Sequence, residues 1–588
     1  MASTDAPKAS ESASASQPQP VDNTPTAKPS TSDTISSNEP TLAEKTELAA
    51  AEGHDADIPS NIGYVLDERG EKQRRESISR QRRASLAAAS TAAQEADAEK
   101  EAGAAPEDGE VADENVVWWD GPDDPENPFN WPSWKKVAMC GFVSGFTFIT
   151  PLASSMFAPG VPQIMQEFES RSPLLASFVV SVYVLGFAAG PLLFAPLSEI
   201  YGRLWVYFGS LILFGVFIVA CALAPSLNAL IIFRFFSGVF GACPLTNGAG
   251  TITDMIVQEK RGVAMAIFSI GPLLGPIIGP VAGGFLADAE GWRWIFWVLA
   301  IAIGVLAIGM AIFMRETYAP VLLEQKAARL RKETGNELLR SKLDVGLSPR
   351  DYFARSIVRP CKLLLFDPIS IIFALYLGVV YGYLYLMFTS ITQVFTLSYG
   401  FSASNVGLVF LGLGVGSMIG VVYFSITSDR TIKKRAAEAE AKAAETGVPS
   451  EGMKPEYRLS PLPIGAIMLP LGFFLYGWTA EYPEKIHWIV PIISHVFIGI
   501  AILIIMLSLQ MYLVDAYTLY AASALAANTV VRSTAGAVLP LAGLEMYEKL
   551  GIGWGNSLLG FVSLALVPVP FFIIKYGEML RKKYMPKL

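Results

Sequence analysis

Twelve apolar runs, uncharged but for Arg234 and Arg532, follow one another after Lys135-Lys136, each long enough to cross a lipid bilayer, and a soluble core could not absorb them. About 20 residues suffice for one crossing at ~1.5 Å of rise per residue. The runs lie at 137–158, 174–196, 204–224, 227–253, 262–287 and 294–314, then at 368–397, 404–428, 459–480, 488–514, 517–544 and 550–574. A charged segment, 315–367, separates the two sets of six and reads as a cytosolic central loop. No water is available inside a bilayer, so each run must satisfy its own backbone and is predicted to be a helix. With 52% hydrophobic and 17% charged residues, the chain as a whole is too apolar for an ordinary soluble protein.

Residues 1–114 have a different texture. They lack apolar periodicity, are poor in aromatics and read as a disordered cytosolic tail, followed by a juxtamembrane segment at 115–136. The net charge of −8 belongs to this acidic tail, while the membrane body is basic. Arg74-Arg75 and Arg82-Arg83 stand just ahead of Ser77 and Ser85, a spacing that suits basophilic kinases but is short enough to arise by chance. Cys140, Cys221 and Cys243 sit in apolar runs and Cys361 in a basic loop, so no extracellular disulfide framework is expected. No signal segment is read at the N-terminus, so the first span is expected to direct insertion without cleavage.

Lys and Arg concentrate in the connections that are cytoplasmic when the N-terminus is inside. The external connections then hold only Arg171, Arg293, Lys485 and Lys549. An even number of spans puts both termini, including the tail at 575–588, in the cytosol. The plasma membrane is the expected address, with the vacuolar membrane as the alternative.

The two halves repeat each other. Gly186, Gly190 and Glu199 have the same spacing as Gly416, Gly420 and Asp429, with both acids at cytoplasmic helix ends. Asp254 precedes Gly275 by the same interval that separates Asp515 from Gly536, and Pro280 and Pro540 follow. Paired six-helix bundles of this kind place a substrate site between them. In the fifth run, Gly271-Pro272, Gly275-Pro276, Gly279-Pro280 and Gly283-Gly284 strip side chains from one face at every fourth residue, so that a neighbouring backbone can approach.

This stretch resembles the antiporter motif of the drug:proton antiporters of the major facilitator superfamily. Ala195-Pro196-Leu197-Ser198-Glu199-Ile200-Tyr201-Gly202-Arg203 resembles the loop motif of that family, with Ala195, Glu199 and Leu204 departing from its usual residues. Arg234 with Gly238 and Gly241 resembles its helix-four motif. Asn127-Pro128-Phe129-Asn130-Trp131-Pro132 and Ala526-Ala527-Asn528-Thr529-Val530-Val531-Arg532 resemble its fungal twelve-helix branch. The resemblance runs from about Asp120 to the C-terminus. It implies an all-α membrane protein of the major facilitator fold, with two pseudo-symmetric six-helix bundles.

The resemblance also implies roles. Glu199, Gly202 and Arg203, with Asp429 and Arg430 in the second half, would form a conformational latch; the alternative is a set of solvated ion pairs of little energy. Arg234 would take part in proton coupling, against the alternative of a structural tie to backbone carbonyls. Arg532 carries the same argument with less family support. His495 has a side chain suited to relaying protons, although a packing role is the more ordinary one. The superfamily lines its cavity with helices one, four, seven and ten, which here offer Asn247, Tyr381, Tyr385, Gln393, His495 and Gln510 among apolar groups.

The expected function is export of a small amphipathic organic compound, a drug, toxin or secondary metabolite, in exchange for protons. The bilayer, protons and the substrate are the expected partners, and the proton gradient stands in place of a cofactor. No acid sits at mid-membrane, which tilts against a polyamine exporter; a proton-coupled importer shares the fold, and a non-transporting sensor would depend on the tail. No nucleophile–base set, metal-ligand cluster or nucleotide loop is found, which disfavours an enzyme. The basic loops follow from topology rather than from nucleic-acid binding.

Overall fold

The computed structural model describes residues 115–344, 346, 348–446, 454–517 and 520–584. The tail at 1–114, with Ser77 and Ser85, lies outside them. The first crossing, Ser133–Glu167, is built from α1 (Ser133–Ser155), a 3-10 turn (Ala158–Gly160) and α2 (Val161–Glu167). Next come α3 (Pro173–Ile200), started by a Ser172 cap on the Leu175 amide, and α4 (Arg203–Ala222). A joint at Ala242, ahead of Pro244, divides the fourth crossing into α5 (Leu227–Gly241) and α6 (Cys243–Met255). The first bundle closes with α7 (Gln258–Glu290) and α8 (Trp292–Phe313).

The segment between the bundles is not a bare loop. It holds α9 (Ala319–Thr334), a short strand β2 (Arg340–Ser341) and α10 (Pro349–Phe366). The second bundle comprises α11 (Pro368–Tyr399), α12 (Ala403–Thr446), α13 (Leu462–Ala480), α14 (Ile489–Tyr517), α15 (Ala521–Leu566) and α16 (Pro568–Tyr584). Among the described residues eleven helical stretches are long and apolar enough to span a membrane, and the last of them, Ala521–Tyr584, contains a non-helical Gly551 at φ 77°. Breaking it there restores the twelve crossings expected from the sequence. The span expected to stop at Ser428 runs on as helix to Thr446, because its continuation is rich in Ala, Glu and Lys, all strong helix formers.

Helix pairing repeats between the bundles: α1 packs on α7 as α11 packs on α15, and α3 packs on α5 as α12 packs on α14. The spacing-matched glycines explain the second pair. A side-chain carbon at Gly186 would meet the Val239 amide at 2.5 Å, and one at Gly420 would meet the Ile500 carbonyl at 2.8 Å. The two bundles meet along α3 against α15 and α7 against α12.

Outside the spans, the juxtamembrane segment is folded onto the central segment. Strand β1 (Val116–Val117) pairs in parallel with β2. Buried Lys326 of α9 holds Asp120 at 2.7 Å and Asp124 at 3.1 Å. Burial works against the Asp124 carboxylate, but the Asp120 and Glu126 amides and the Lys326 ammonium outweigh it and hold its pKa below the ordinary value. This contribution is therefore present above the ordinary Asp pKa and lost as pH falls through the lowered one.

Lys326→Met, which leaves Asp124 buried without its cation, is expected to raise amide exchange at 115–126 while leaving exchange in the spans unchanged. Gly416→Leu, whose side chain would drive into the Val496 backbone, is expected to cost about 1–3 kcal/mol or more. Gly304→Ala, with open space around it, is expected to be neutral. Thermal unfolding of detergent-purified protein, followed by size-exclusion chromatography, compares the two.

Candidate functional site

The outer end of the molecule is the one that Lys/Arg placement assigns to the outside. There the glycine face of α7 does two jobs. Gly271 and Gly275 bring it against α1, where a side-chain carbon would stand 3.1 Å from the Phe148 amide nitrogen and 2.9 Å from that of Leu152. Gly279 and Gly283 face Ser155 and Met156 in the same way. Gly284 instead faces the Ala403 backbone of α12, across the seam. On α12, Gly407 and Gly414 continue that seam against Pro280 and Ile277. One turn further, Met418 is 43% exposed, and Ser425 is exposed after it. On α7 the matching Ile270 is 49% exposed. The bundles therefore touch along their outer halves and part toward the cytoplasmic side.

At the middle of the seam lies a polar junction. Arg234 on α5 is fully buried; its Nη2 donates to the Ser154 carbonyl at 3.3 Å and the Val180 carbonyl at 3.5 Å. The Phe157 ring stands 4.3 Å from its guanidinium and the Tyr183 ring 5.2 Å. Among the described residues no carboxylate forms an ion pair with it, and its Nε and Nη1 have no hydrogen-bond partner. Ser154 also shares a 2.8 Å hydrogen bond with the Tyr385 hydroxyl of α11, from the other bundle. Tyr385 packs against Tyr381 at 5.1 Å, and Tyr381 lies 5.0 Å below the Arg532 guanidinium of α15. Gly536, one turn after Arg532, leaves room for the Tyr381 ring. The two intramembrane arginines are thus joined through Ser154, Tyr385 and Tyr381 across the bundle boundary. Nearby, the Ser181 hydroxyl donates to the Ala537 carbonyl at 2.8 Å.

The cytoplasmic helix ends carry two matching arginine clusters. Arg203 donates to Asp254 at 3.1 Å and to the Ser198 hydroxyl at 2.6 Å, while the Glu316 carboxylate accepts from the Arg203 and Leu204 amides. Positive φ at Gly202 (87°) turns the chain into α4 beside Glu316. In the second bundle Arg458 donates to Asp515 at 2.8 Å, with the Ser428 hydroxyl at 3.5 Å and Asp429 also at 3.5 Å. Arg458 thus takes the place in the second half that Arg203 takes in the first. The sequence alone points to Arg430, directly after Asp429, for that place. It misses Arg458 because the extension of α12 and the segment after it separate the arginine from its partners; the signal available is a lone Arg just ahead of the ninth span. Arg203 forms its ion pair with Asp254.

The proposed cavity residues scatter. Tyr381 and Tyr385 belong to the junction. Asn247 is buried between helices, donating to the Phe194 carbonyl and accepting from Ser198, so it ties α6 to α3. Gln393 lines an outer cleft of about 250 Å³ with Arg171, Thr389, Thr392, Thr396 and Glu548. Gln510 is half-buried on α14. His495 is fully buried against Tyr476 and Phe395, and neither ring nitrogen has a partner. It is not among the residues of the junction. Among the described residues no group of three or more His, Cys, Asp or Glu is placed to share a metal ion.

Tyr385→Phe keeps the ring and removes the hydrogen bond to Ser154, at a cost of about 0.5–1.5 kcal/mol to the conformation with the outer seam closed. It is expected to raise the reactivity of a cysteine placed at Thr392, in the outer cleft, toward an impermeant thiol reagent by roughly two- to tenfold. Unchanged reactivity would remove this bond from the energetics of the seam.

Residues 143–540 match the Major Facilitator Superfamily model. The MFS-type transporter tndD of Aspergillus flavipes is 55% identical over 471 residues, which are 80% of this chain and 86% of that protein. The efflux pump radE of Floropilus chiversii is 52% identical over 472 residues, again 80% and 86%. Among solved structures, a D-xylose-proton symporter superposes with a TM-score of 0.54 at 16% identity, over 77% of this chain and 98% of its own. The inward-open xylose transporter XylE from E. coli gives 0.54 at 14% identity, over 77% and 96%. At such identities the likeness speaks to the fold, while the fungal relatives and the family match speak to descent. The chain belongs to the Major Facilitator Superfamily, as a multi-pass membrane transporter and not an enzyme.

Proposed function

We propose that this transporter exports a small amphipathic organic compound of the drug, toxin or secondary-metabolite kind, in exchange for protons, by alternating access between its two bundles. The observation that carries the reading is the junction at the seam. Two buried or half-buried arginines, one from each bundle, are joined through a serine and two tyrosines, and the one link that crosses the boundary, Ser154 to Tyr385, cannot be kept if the bundles rock apart. A change in the protonation or occupancy of that junction would therefore bear directly on which side is open. The name of radE, an efflux pump, and its identity to this chain support the outward direction.

In this reading Arg234 and Arg532 set the electrostatics of coupling, and Tyr381, Tyr385 and Gln510 meet the substrate. His495, away from the junction, is assigned a subordinate part. Glu199, Gly202 and Arg203, with Asp429, Arg430 and now Arg458, form the cytoplasmic latch that re-forms across the bundles when the outer side opens. Asp254 and Asp515 hold Arg203 and Arg458 each within its own bundle. Among the described residues the junction contains no carboxylate, which favours neutral or anionic substrates over polyamines. The plasma membrane, with both termini cytosolic, is the expected setting.

The test is retention of a panel of amphipathic compounds in cells with and without the protein, at two external pH values and with a protonophore. Lower retention that the protonophore abolishes is expected, with Arg234→Ala losing about tenfold or more of the transport rate in a folded protein and Arg234→Lys recovering part of it. Raised retention would reverse the direction to import. Export insensitive to the protonophore would remove proton exchange.

A further inference from the structure

α10 takes no part in the junction, and its surface is of an unusual kind. Only Asp367 separates its last residue from α11, so its C-terminal end lies where a span enters the bilayer. One side of α10 packs against the cytoplasmic ends of α3, α11 and α15. Leu363 is fully buried there, and the Arg359 guanidinium lies 5.3 Å from the Tyr520 ring.

The other side carries Ala354, Val358, Cys361 and Leu365, spaced by four, three and four residues and hence aligned in one stripe that ends beside Phe366. All five are exposed, Val358 by 47%, Leu365 by 70% and Phe366 by 67%. Cations flank the stripe: Arg350 and Lys362 are exposed, with Arg355 and Arg359 half-buried. Asp351 is the one acid in the helix and is engaged with Ser348 at its N-terminus. By contrast, α9 in the same central segment turns Leu323 and Ala327 inward. An apolar stripe bordered by Lys and Arg, at the level of the membrane surface, is what a helix lying in the headgroup region presents.

We propose that α10 is an interfacial helix: its Ala354, Val358, Cys361, Leu365 and Phe366 stripe lies in the cytoplasmic leaflet, and Arg350 and Lys362 hold anionic phospholipid headgroups. Charge complementarity selects the lipid. The helix carries four cations against one acid, and anionic headgroups attract such segments within a Debye length of the surface. Because α10 touches α3 of the first bundle and α11 and α15 of the second, a lipid held there bears on the cytoplasmic opening between them.

The native Cys361 provides the probe. With Cys140→Ser, the remaining Cys221 and Cys243 are buried, and an NBD fluorophore can be placed on Cys361 of the full chain in nanodiscs. In phosphatidylcholine with added phosphatidylserine, the label is expected to emit to the blue, to be quenched by lipids spin-labelled near the headgroup and to be shielded from aqueous iodide. Removing phosphatidylserine, or substituting Arg350→Gln with Lys362→Gln in a monodisperse protein, is expected to weaken the lipid quenching and restore that by iodide. Val358→Glu is expected to draw the stripe into water in either lipid. Quenching by iodide alone in both lipids would overturn the interfacial placement. Lipid quenching indifferent to phosphatidylserine and to the paired substitution would overturn the anionic-lipid site.

Discussion

Close backbone approach along α7 holds the molecule together in both directions. Within its bundle, the glycines at every fourth residue let α7 lie directly on α1; at its outer end, Gly284 lets it lie on α12 of the other bundle. Lipid tails are as apolar as leucine, so no hydrophobic force distinguishes helix–helix from helix–lipid contact, and association rests on packing and hydrogen bonding. Removing side chains from a face is then the main way a sequence can say which helices are neighbours. The same device recurs at Gly186 and Gly190 of α3, which face α5 and the Ala242 joint, and at Gly416 and Gly420 of α12, which face α14, so the two bundles are built alike inside.

Arg234 shows what this packing encloses. A guanidinium with no exposed surface is expensive in a bilayer unless carbonyls and aromatic faces replace its water. The Ser154 and Val180 carbonyls and the rings of Phe157 and Tyr183 do so, although two of its nitrogens remain without partners. The sequence reading offered a coupling role and a tie to carbonyls as alternatives. The geometry supplies the carbonyl tie and sets it beside Tyr385, one hydrogen bond from the opposite bundle.

The fold was legible because hydrophobic length and glycine spacing are local properties of the chain. The spans, the duplicated glycine–acid pattern and the residues at the two arginine clusters' acidic ends could all be read by position. What could not be read depended on distant residues coming together. Ser154 is an unremarkable hydroxyl in an apolar run until Tyr385 reaches it, and Arg458 lies 30 residues beyond Ser428, its hydrogen-bond partner. Asn247 looked like a cavity group because a polar side chain on the fourth span has two uses, and only the position of α3 decides that it is spent between helices. The strap of β1, β2 and Lys326 left no local signal beyond a proline-rich acidic stretch, since its partners are some 200 residues apart.

The distribution of bond types decides which contacts can yield during transport. The ion pairs at the cytoplasmic helix ends, the largely buried Arg203 with Asp254 and the half-buried Arg458 with Asp515, each stay inside one bundle. Leaving one partner of a buried pair alone costs about 3–5 kcal/mol, and the half-buried Arg458 pair less, so these clusters stiffen each bundle. The hydrogen bonds across the seam are of a weaker class. Ser154 meets Tyr385 and Ser181 meets the Ala537 carbonyl, neutral bonds worth about 0.5–1.5 kcal/mol net each, and the Ser404 amide meets the Asp288 carboxylate, whose exposure to water weakens a charge-assisted bond. Three such bonds can be exchanged for water or substrate at modest cost, whereas opening either bundle would cost more. Rigid halves with a soft seam follow from where the charges were placed.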